Sequence, residues 1–214
     1  MVTKCNSQDY FLAFCHYYNL YLIGMRIRLR FIMRIKKTFL YAAFLSCASH
    51  ASAFNLTGTV FDTYAQNVGI EPELLYAVAL AESAKATSRG KVSPSCLAIR
   101  GEKPYYPSSL EQAKKILDDL LPYRSSVDIG CMQVNWRWHG HRVNHAYDLL
   151  DPNTNIRLAA TILKDALDSV PNDQVLGIGR YHHWDISSED GYQRAYEYGL
   201  KVVQIWNNLR DLLR

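Results

Sequence analysis

No glycine-rich phosphate loop, no internal repeat and no low-complexity tract occurs in the 214 residues, which sets aside phosphate-loop nucleotide chemistry and repeat architectures. A surplus of cations is missing from most of the chain. Residues 54–214 hold 17 Lys or Arg against 19 Asp or Glu, whereas residues 1–53 hold 7 against 1. The overall charge of +4 therefore belongs to the N-terminus, and a nucleic-acid partner, whose affinity comes largely from clustered cations, is not expected. Long apolar runs are scarce as well. Residues 10–24 are broken by His16 and Asn19 and are too short to span a bilayer comfortably, although an inner-membrane anchor is the competing reading of this stretch. His139, His141 and His145 lack a Cys, Asp or Glu at ligand spacing, so neither a metal nor another cofactor is expected.

What is present begins with a targeting signal. "MRIKKTFLYAAFLSCASHASA" (33–53) has a basic start (Arg34, Lys36, Lys37), an apolar centre (Phe39 to Leu45) and a small-x-small end at Ala51-Ser52-Ala53. This pattern predicts a signal peptide cleaved before Phe54, export to the periplasm, and a mature chain that does not span the membrane. Residues 1–32 are long, aromatic and interrupted by "MRIRLR", so the expected start is Met33 or Met25, with 1–32 a mis-assigned start or an extended leader. After cleavage only Cys96 and Cys131 remain, in a compartment that permits disulfides. A bridge closing this loop would contribute roughly 3 to 4 kcal/mol by restricting the unfolded chain. Two buried free thiols are the alternative.

The remainder reads as mainly helical. "VFDTYAQNVG" (60–69) puts Val60, Tyr64 and Val68 on one face and stops at Gly69. "EPELLYAVALAES" (71–83) opens with Pro72 and Glu73 and is apolar on nearly every side, as a central buried helix is. Residues 87–107, rich in Gly, Pro and Ser, read as a loop carrying a small β-hairpin with strand-like pieces at 96–99 and 104–106. Ser108 and Glu111 suggest a capping box opening a helix over 108–121, and further helices are expected over 151–169 and 191–213.

Glu82 stands at the end of the central apolar segment "LLYAVALAESAKA" (74–86). An apolar setting and the negative end of a helix dipole both disfavour ionisation and should raise its pKa, as a general acid working near neutral pH requires. The bland alternative is a salt bridge to Lys85, Arg89 or another base.

A second constellation lies in "DIGCMQVNWRWHG" (128–140), where Gly130, Met132, Gln133 and Asn135 cluster beside Trp136 and Trp138. An amide, a close-approach glycine and aromatic faces are what sugar rings require. Taken in order, "AES" (81–83), "GCMQVN" (130–135), "DPNTNIRLAATIL" (151–163) and "GRYHHW" (179–184) resemble the soluble lytic transglycosylase (SLT) family, related to goose-type lysozyme. The resemblance implies a mainly α, lysozyme-like domain over 54–214 that acts on peptidoglycan glycan strands. It makes Glu82 the catalytic acid and base, with Ser83 completing a Glu-Ser pair. Gly130, Met132 and Gln133 match a Gly-Leu-Met-Gln segment lining the sugar groove, Tyr181 matches the Tyr of an Ala-Tyr-Asn motif, and Tyr198 resembles a late tyrosine near the acid. With Asn135, these form the expected substrate-binding set. Two positions depart from the family pattern: Cys131 replaces Leu, consistent with a disulfide to Cys96, and His182 replaces Asn, which puts that residue's substrate contact in question. The insertion between Glu82 and Gly130 is similar to that of transglycosylases encoded with conjugation and type IV secretion systems, implying components of such a system as partners.

Most glycosidases pair two acids across the scissile bond. Here only Glu82 sits in a suitable motif, and Asp128 reads as a cap or backbone anchor. One acid suffices if the muramyl C6 hydroxyl is the nucleophile, which gives a 1,6-anhydromuramyl end. A lysozyme-like hydrolase with a second carboxylate, and a silent peptidoglycan-binding module, are the alternatives.

Overall fold

The computed structural model describes residues 54–86 and 92–212. The expected leader, residues 1–32 and Arg89 lie outside these.

Helix α1 (Val60–Val68) is opened by Thr59, whose hydroxyl accepts from the Asp62 amide while donating to the Leu56 carbonyl. Gly69, in the left-handed conformation, closes it with its N–H on the Ala65 and Gln66 carbonyls. Helix α2 (Pro72–Ser83) begins at Pro72 and buries Leu74, Leu75, Ala77, Val78 and Ala79, so it runs through the middle of the core. Burying one such leucine is worth about 2 kcal/mol. Helix α2 packs on α1 and on α7 (Glu189–Asp211), while α5 (Pro152–Asp168) packs on α1 and on α6 (Gln174–His182).

Helices α6 and α7 also pack against each other, and two glycines set their spacing. A Cβ on Gly179 would collide with the Ala195 carbonyl, and one on Gly199 with that of Val175. The two backbones therefore touch, which delivers the C-terminal end of α6, with Tyr181 and His182, to Tyr198 on α7.

Between α2 and α5 lie the short strands and a smaller helix. Strands β1 (Ala84–Ala86) and β2 (Val92–Pro94) pair antiparallel directly after Glu82-Ser83. Strands β3 (Ile99–Arg100) and β4 (Pro104–Tyr105) form the expected hairpin, but β5 (Asp128–Ile129) and β6 (Val134–Asn135) extend it into an antiparallel sheet of order β4-β3-β5-β6. The second half of the sheet comes from the segment read as a groove motif. Helix α3 (Leu110–Leu120) is capped by Ser109, one residue later than expected. The Ser109 hydroxyl accepts from the Gln112 amide, and Ser108 instead donates its N–H and hydroxyl to the Gln112 side chain. The short helix α4 (Trp136–His139) and two 3₁₀ turns lead to α5, which Asp151 caps and Pro152 starts. His145 caps the second of these turns by accepting from the Tyr147 amide.

The molecule is mainly α and lysozyme-like, with seven α-helices and small sheets among the described residues. Among those residues no helix is long and apolar enough to cross a membrane.

Candidate functional site

The four-stranded sheet sorts its side chains by register. Ile99 faces Ile129 and Ile129 faces Val134, and all three are buried in the core. Alternation along each strand sends the adjacent row, Arg100–Asp128–Asn135, to the opposite side. All three line a cleft of about 710 Å³ together with Glu82, Gln133, Trp138, Tyr181, His182 and Trp184.

Glu82 is only 7% exposed, yet its carboxylate reaches this cleft from the last turn of α2. The Tyr198 hydroxyl donates to Oε1 at 2.7 Å. The Nδ1 of His182 lies 3.6 Å from the same oxygen, and its ring stacks on Tyr198 with centroids 4.6 Å apart and planes 5° from parallel. Arg100 Nη1 is 3.9 Å from Oε2, and Arg100 Nη2 donates to the Glu82 backbone carbonyl at 3.1 Å. Lys201 Nζ donates to the Ala81 carbonyl at 3.0 Å. Two cations therefore meet the negative end of the α2 dipole, a compensation that sequence reading did not anticipate. Among the described residues Arg100 is the Lys or Arg that pairs with Glu82; Lys85 lies over the Tyr106 ring instead.

Burial, and then the Glu82 charge, hold the Tyr198 phenol well above its usual range, and the same two causes act in the same order on Tyr181. Both remain donors at neutral pH. Burial is also the main influence raising Asp128; Asn135 Nδ2, donating to its Oδ1 at 2.7 Å, opposes it, and the Glu82 charge adds to it. Asp128 is therefore no helix or turn cap. It is a second carboxylate in the same cleft, held by an amide across the sheet. His139, also on the cleft wall, is pushed down to about 4, mainly by burial and then by Arg142 and His141.

The residues expected to bind substrate divide into two groups. Gln133, Asn135 and Tyr181 line the cleft. Ser83, Gly130 and Met132 are not among its lining residues and instead build the wall behind it. Ser83 Oγ donates to the Cys131 carbonyl at 2.7 Å and accepts from the Ser95 amide, pinning the end of α2 to the sheet. Gly130 has φ +84°, and a side chain there would run into Asn155. Met132 is fully buried, and its carbonyl accepts from the Tyr181 hydroxyl at 2.7 Å. Tyr198 acts on Glu82 and is itself buried. Gln133 has positive φ (48°) and donates Nε2 to the carbonyls of Ala98 and Gly130, which locks the turn it sits in.

Asn155 organises this wall and had no role assigned from sequence. It is fully buried and uses its whole amide: Nδ2 donates to the carbonyls of Ile129 and Leu149, and Oδ1 accepts from the Met132 amide and, at 3.7 Å, from the Cys131 thiol. Cys96, partly buried, and Cys131, buried, stand as free thiols rather than as the expected bridge. The two thiols shift each other in opposite directions: the neighbouring Cys131 lowers the Cys96 pKa, and Cys96, followed by burial, raises that of Cys131 well above the ordinary thiol value.

A buried acid, its tyrosine and an aromatic-edged cleft now stand in the order in which the motifs occur along the chain. The protein-family model for the transglycosylase SLT domain matches residues 59–210. The chain belongs to this family. Membership in the SLT domain family points to an enzyme of the lytic transglycosylase type with peptidoglycan as its substrate. No curated protein and no solved structure matches the chain. Arg100, His182 and Trp184 are the site residues that sequence reasoning missed or left without a role. Trp184 and Trp138 are 52% and 63% exposed at the cleft, each with a guanidinium stacked on its ring, Arg180 and Arg137 respectively.

Proposed function

We propose that this SLT-family protein is a periplasmic lytic transglycosylase that cleaves the β-1,4 bond between N-acetylmuramic acid and N-acetylglucosamine and leaves 1,6-anhydromuramyl ends. The observation that carries the reading is the Glu82 carboxylate, 7% exposed and directed into the cleft with Tyr198 on Oε1. Protonated Glu82 gives its proton to the glycosidic oxygen as the C1–O bond breaks. The carboxylate left behind takes the proton of the muramyl C6 hydroxyl as that oxygen bonds to C1, so no water is consumed and the acid is regenerated. Tyr198 and Arg100 hold the carboxylate while it is charged, and the amides of Gln133 and Asn135 and the Trp138 and Trp184 faces suit the sugar rings.

Signal-like residues 33–53 support the periplasmic setting, and the insertion between Glu82 and Gly130 supports a role in opening the wall for a conjugation or secretion apparatus. Asp128 favours one second reading, a muramidase-like hydrolase, because a second carboxylate in the cleft could hold a water. Digestion of isolated sacculi with the purified protein, followed by mass spectrometry, separates the two. Anhydro ends, lighter by one water, are expected; predominantly reducing ends would replace the lyase with the hydrolase, and no released product at all would leave a binding module.

A further inference from the structure

Position 182 is the one place in the matched motifs where an ionisable group stands in for the family's amide, and the fold puts that group against the acid. His182 Nδ1 lies 3.6 Å from Glu82 Oε1, a separation that a side-chain shift of several tenths of an ångström would turn into a hydrogen bond. The imidazole is held there from two sides. Its ring lies flat on Tyr198, and the contact between α6 and α7 at Gly179 and Gly199 fixes the backbone that carries it. Oε1 is thus approached by two groups, the Tyr198 hydroxyl and the His182 ring nitrogen, while Arg100 addresses Oε2. The ring is about half exposed, so it exchanges protons with solvent while the carboxylate, 5% exposed, is sheltered.

We propose that Glu82 and His182 hold one proton between them, with the imidazole acting through Glu82 as its proton store. The inference rests on the reading of Glu82 as the acid. In the resting pair the proton sits on Nδ1 of an imidazolium beside a carboxylate, or on the carboxyl beside a neutral ring; the two arrangements carry the same number of protons. The proton passes from Nδ1 to Oε1 and from there to the leaving glycosidic oxygen as C1–O breaks. When the C6 oxygen bonds to C1, its proton returns to Glu82 and is again shared with His182. No proton is gained or lost over the cycle.

The charges around the ring are consistent with this role. From α2 comes Glu82, from β3 Arg100, from β5 Asp128, from α7 Tyr198, and from the end of α6 and beyond it Arg180, Tyr181, His183 and Asp185. Among the described residues Glu82 is the one carboxylate within ion-pair distance of the ring.

The test uses protein recovered from cells expressing the full chain and follows sacculus digestion against pH for the wild type, His182→Asn and His182→Phe. The phenylalanine keeps the stack on Tyr198 and removes the proton, and thermal melting checks that both variants are folded. The alkaline limb of the wild-type kcat/KM profile is expected to move to lower pH in both variants, by roughly half a unit or more. An alkaline limb in the same place in all three proteins overturns the proposal. By NMR, the His182 imidazole should titrate at lower pH in Glu82→Gln, where its anionic neighbour is gone, and an unchanged titration overturns the proposal equally. Activity surviving in Glu82→Gln would remove the underlying assignment of the acid, and it would do so before any His182 variant is assayed.

Discussion

The Tyr198 hydroxyl donates to Glu82 Oε1 at 2.7 Å across a separation of 116 residues, joining the longest described helix to the most buried one at the carboxylate proposed as the acid. A donor at that position would stabilise the carboxylate that the proposed first step leaves on Glu82, and the phenol, held well above its usual pKa mainly by burial, does not itself give up its proton.

Tyr198→Phe should therefore keep the ring stack with His182 and the fold while losing this one bond. Activity on sacculi is expected to fall by about 10- to 100-fold, in keeping with the loss of a buried, charge-assisted hydrogen bond of roughly 1.5 to 3 kcal/mol. Melting temperature should fall by no more than about 10 °C, with the protein still folded at the assay temperature. A phenylalanine variant with wild-type kcat/KM would show that the bond has no part in the reaction.

Asn155 is the position at which stability should be most sensitive. Its amide bonds four buried groups, three in the turn around Gly130 and the fourth the Leu149 carbonyl. Asn155→Ala strands these groups and opens a void, at a cost on the order of 3 kcal/mol or more in unfolding free energy. Urea melts read this directly. Asn155→Asp, which keeps the acceptor and loses the donors, should also be strongly destabilised; an alanine variant within about 1 kcal/mol of wild type would mean that the turn holds itself.

Glu82 was legible because an acid ending an apolar helix stands out against its neighbours, and Gln133, Asn135, Tyr181 and Tyr198 because short motifs marked them. Arg100 was not. It lies in a Gly-, Pro- and Ser-rich stretch without periodicity, and only the register Ile99 to Ile129 turns it toward the acid. Helix α6 also gave little signal. Its two glycines cost helical stability, about 1 kcal/mol each; Gly179 stands where α7 leaves no room for a side chain, and Gly177 lies close against Leu167 of α5. Ser83, Gly130 and Met132 stand behind the cleft rather than on its lining, because a motif records which residues a site needs without separating those that face the ligand from those that hold the facing ones.

Cys96 and Cys131 should react unequally. The neighbouring Cys131 lowers the Cys96 thiol from its ordinary value while Cys131 itself is buried and raised, so Cys96 is the better nucleophile. Brief alkylation of reduced, folded protein should label Cys96 first, and mild oxidation should join the two. Peptide mapping without reduction checks both outcomes. The bridge is expected in protein recovered from the periplasm, and thiols that remain free there would rule it out as a structural feature.

Asp128 separates lyase from hydrolase and also carries a pH signature. Burial raises its pKa in the folded state above the unfolded value, so the folded protein binds the extra proton. The stability this gives is fully present below the unfolded carboxyl range and is lost as pH rises through the folded pKa. Asp128→Asn can still accept the bond from Asn135 through its amide oxygen and carries no buried charge, so its melting temperature should match or exceed that of wild type at pH 7, with a smaller difference at pH 4. Activity tells the rest. If Glu82 works alone, Asp128→Asn should lose less than about tenfold and still release anhydro ends, whereas Glu82→Gln should lose at least the 10²- to 10⁴-fold that general acid catalysis is worth. A carboxylate holding an attacking water would behave differently: its replacement would abolish turnover in a protein that melts normally. That combination, together with reducing ends from the wild type, would move the chemistry from the muramyl C6 hydroxyl to water.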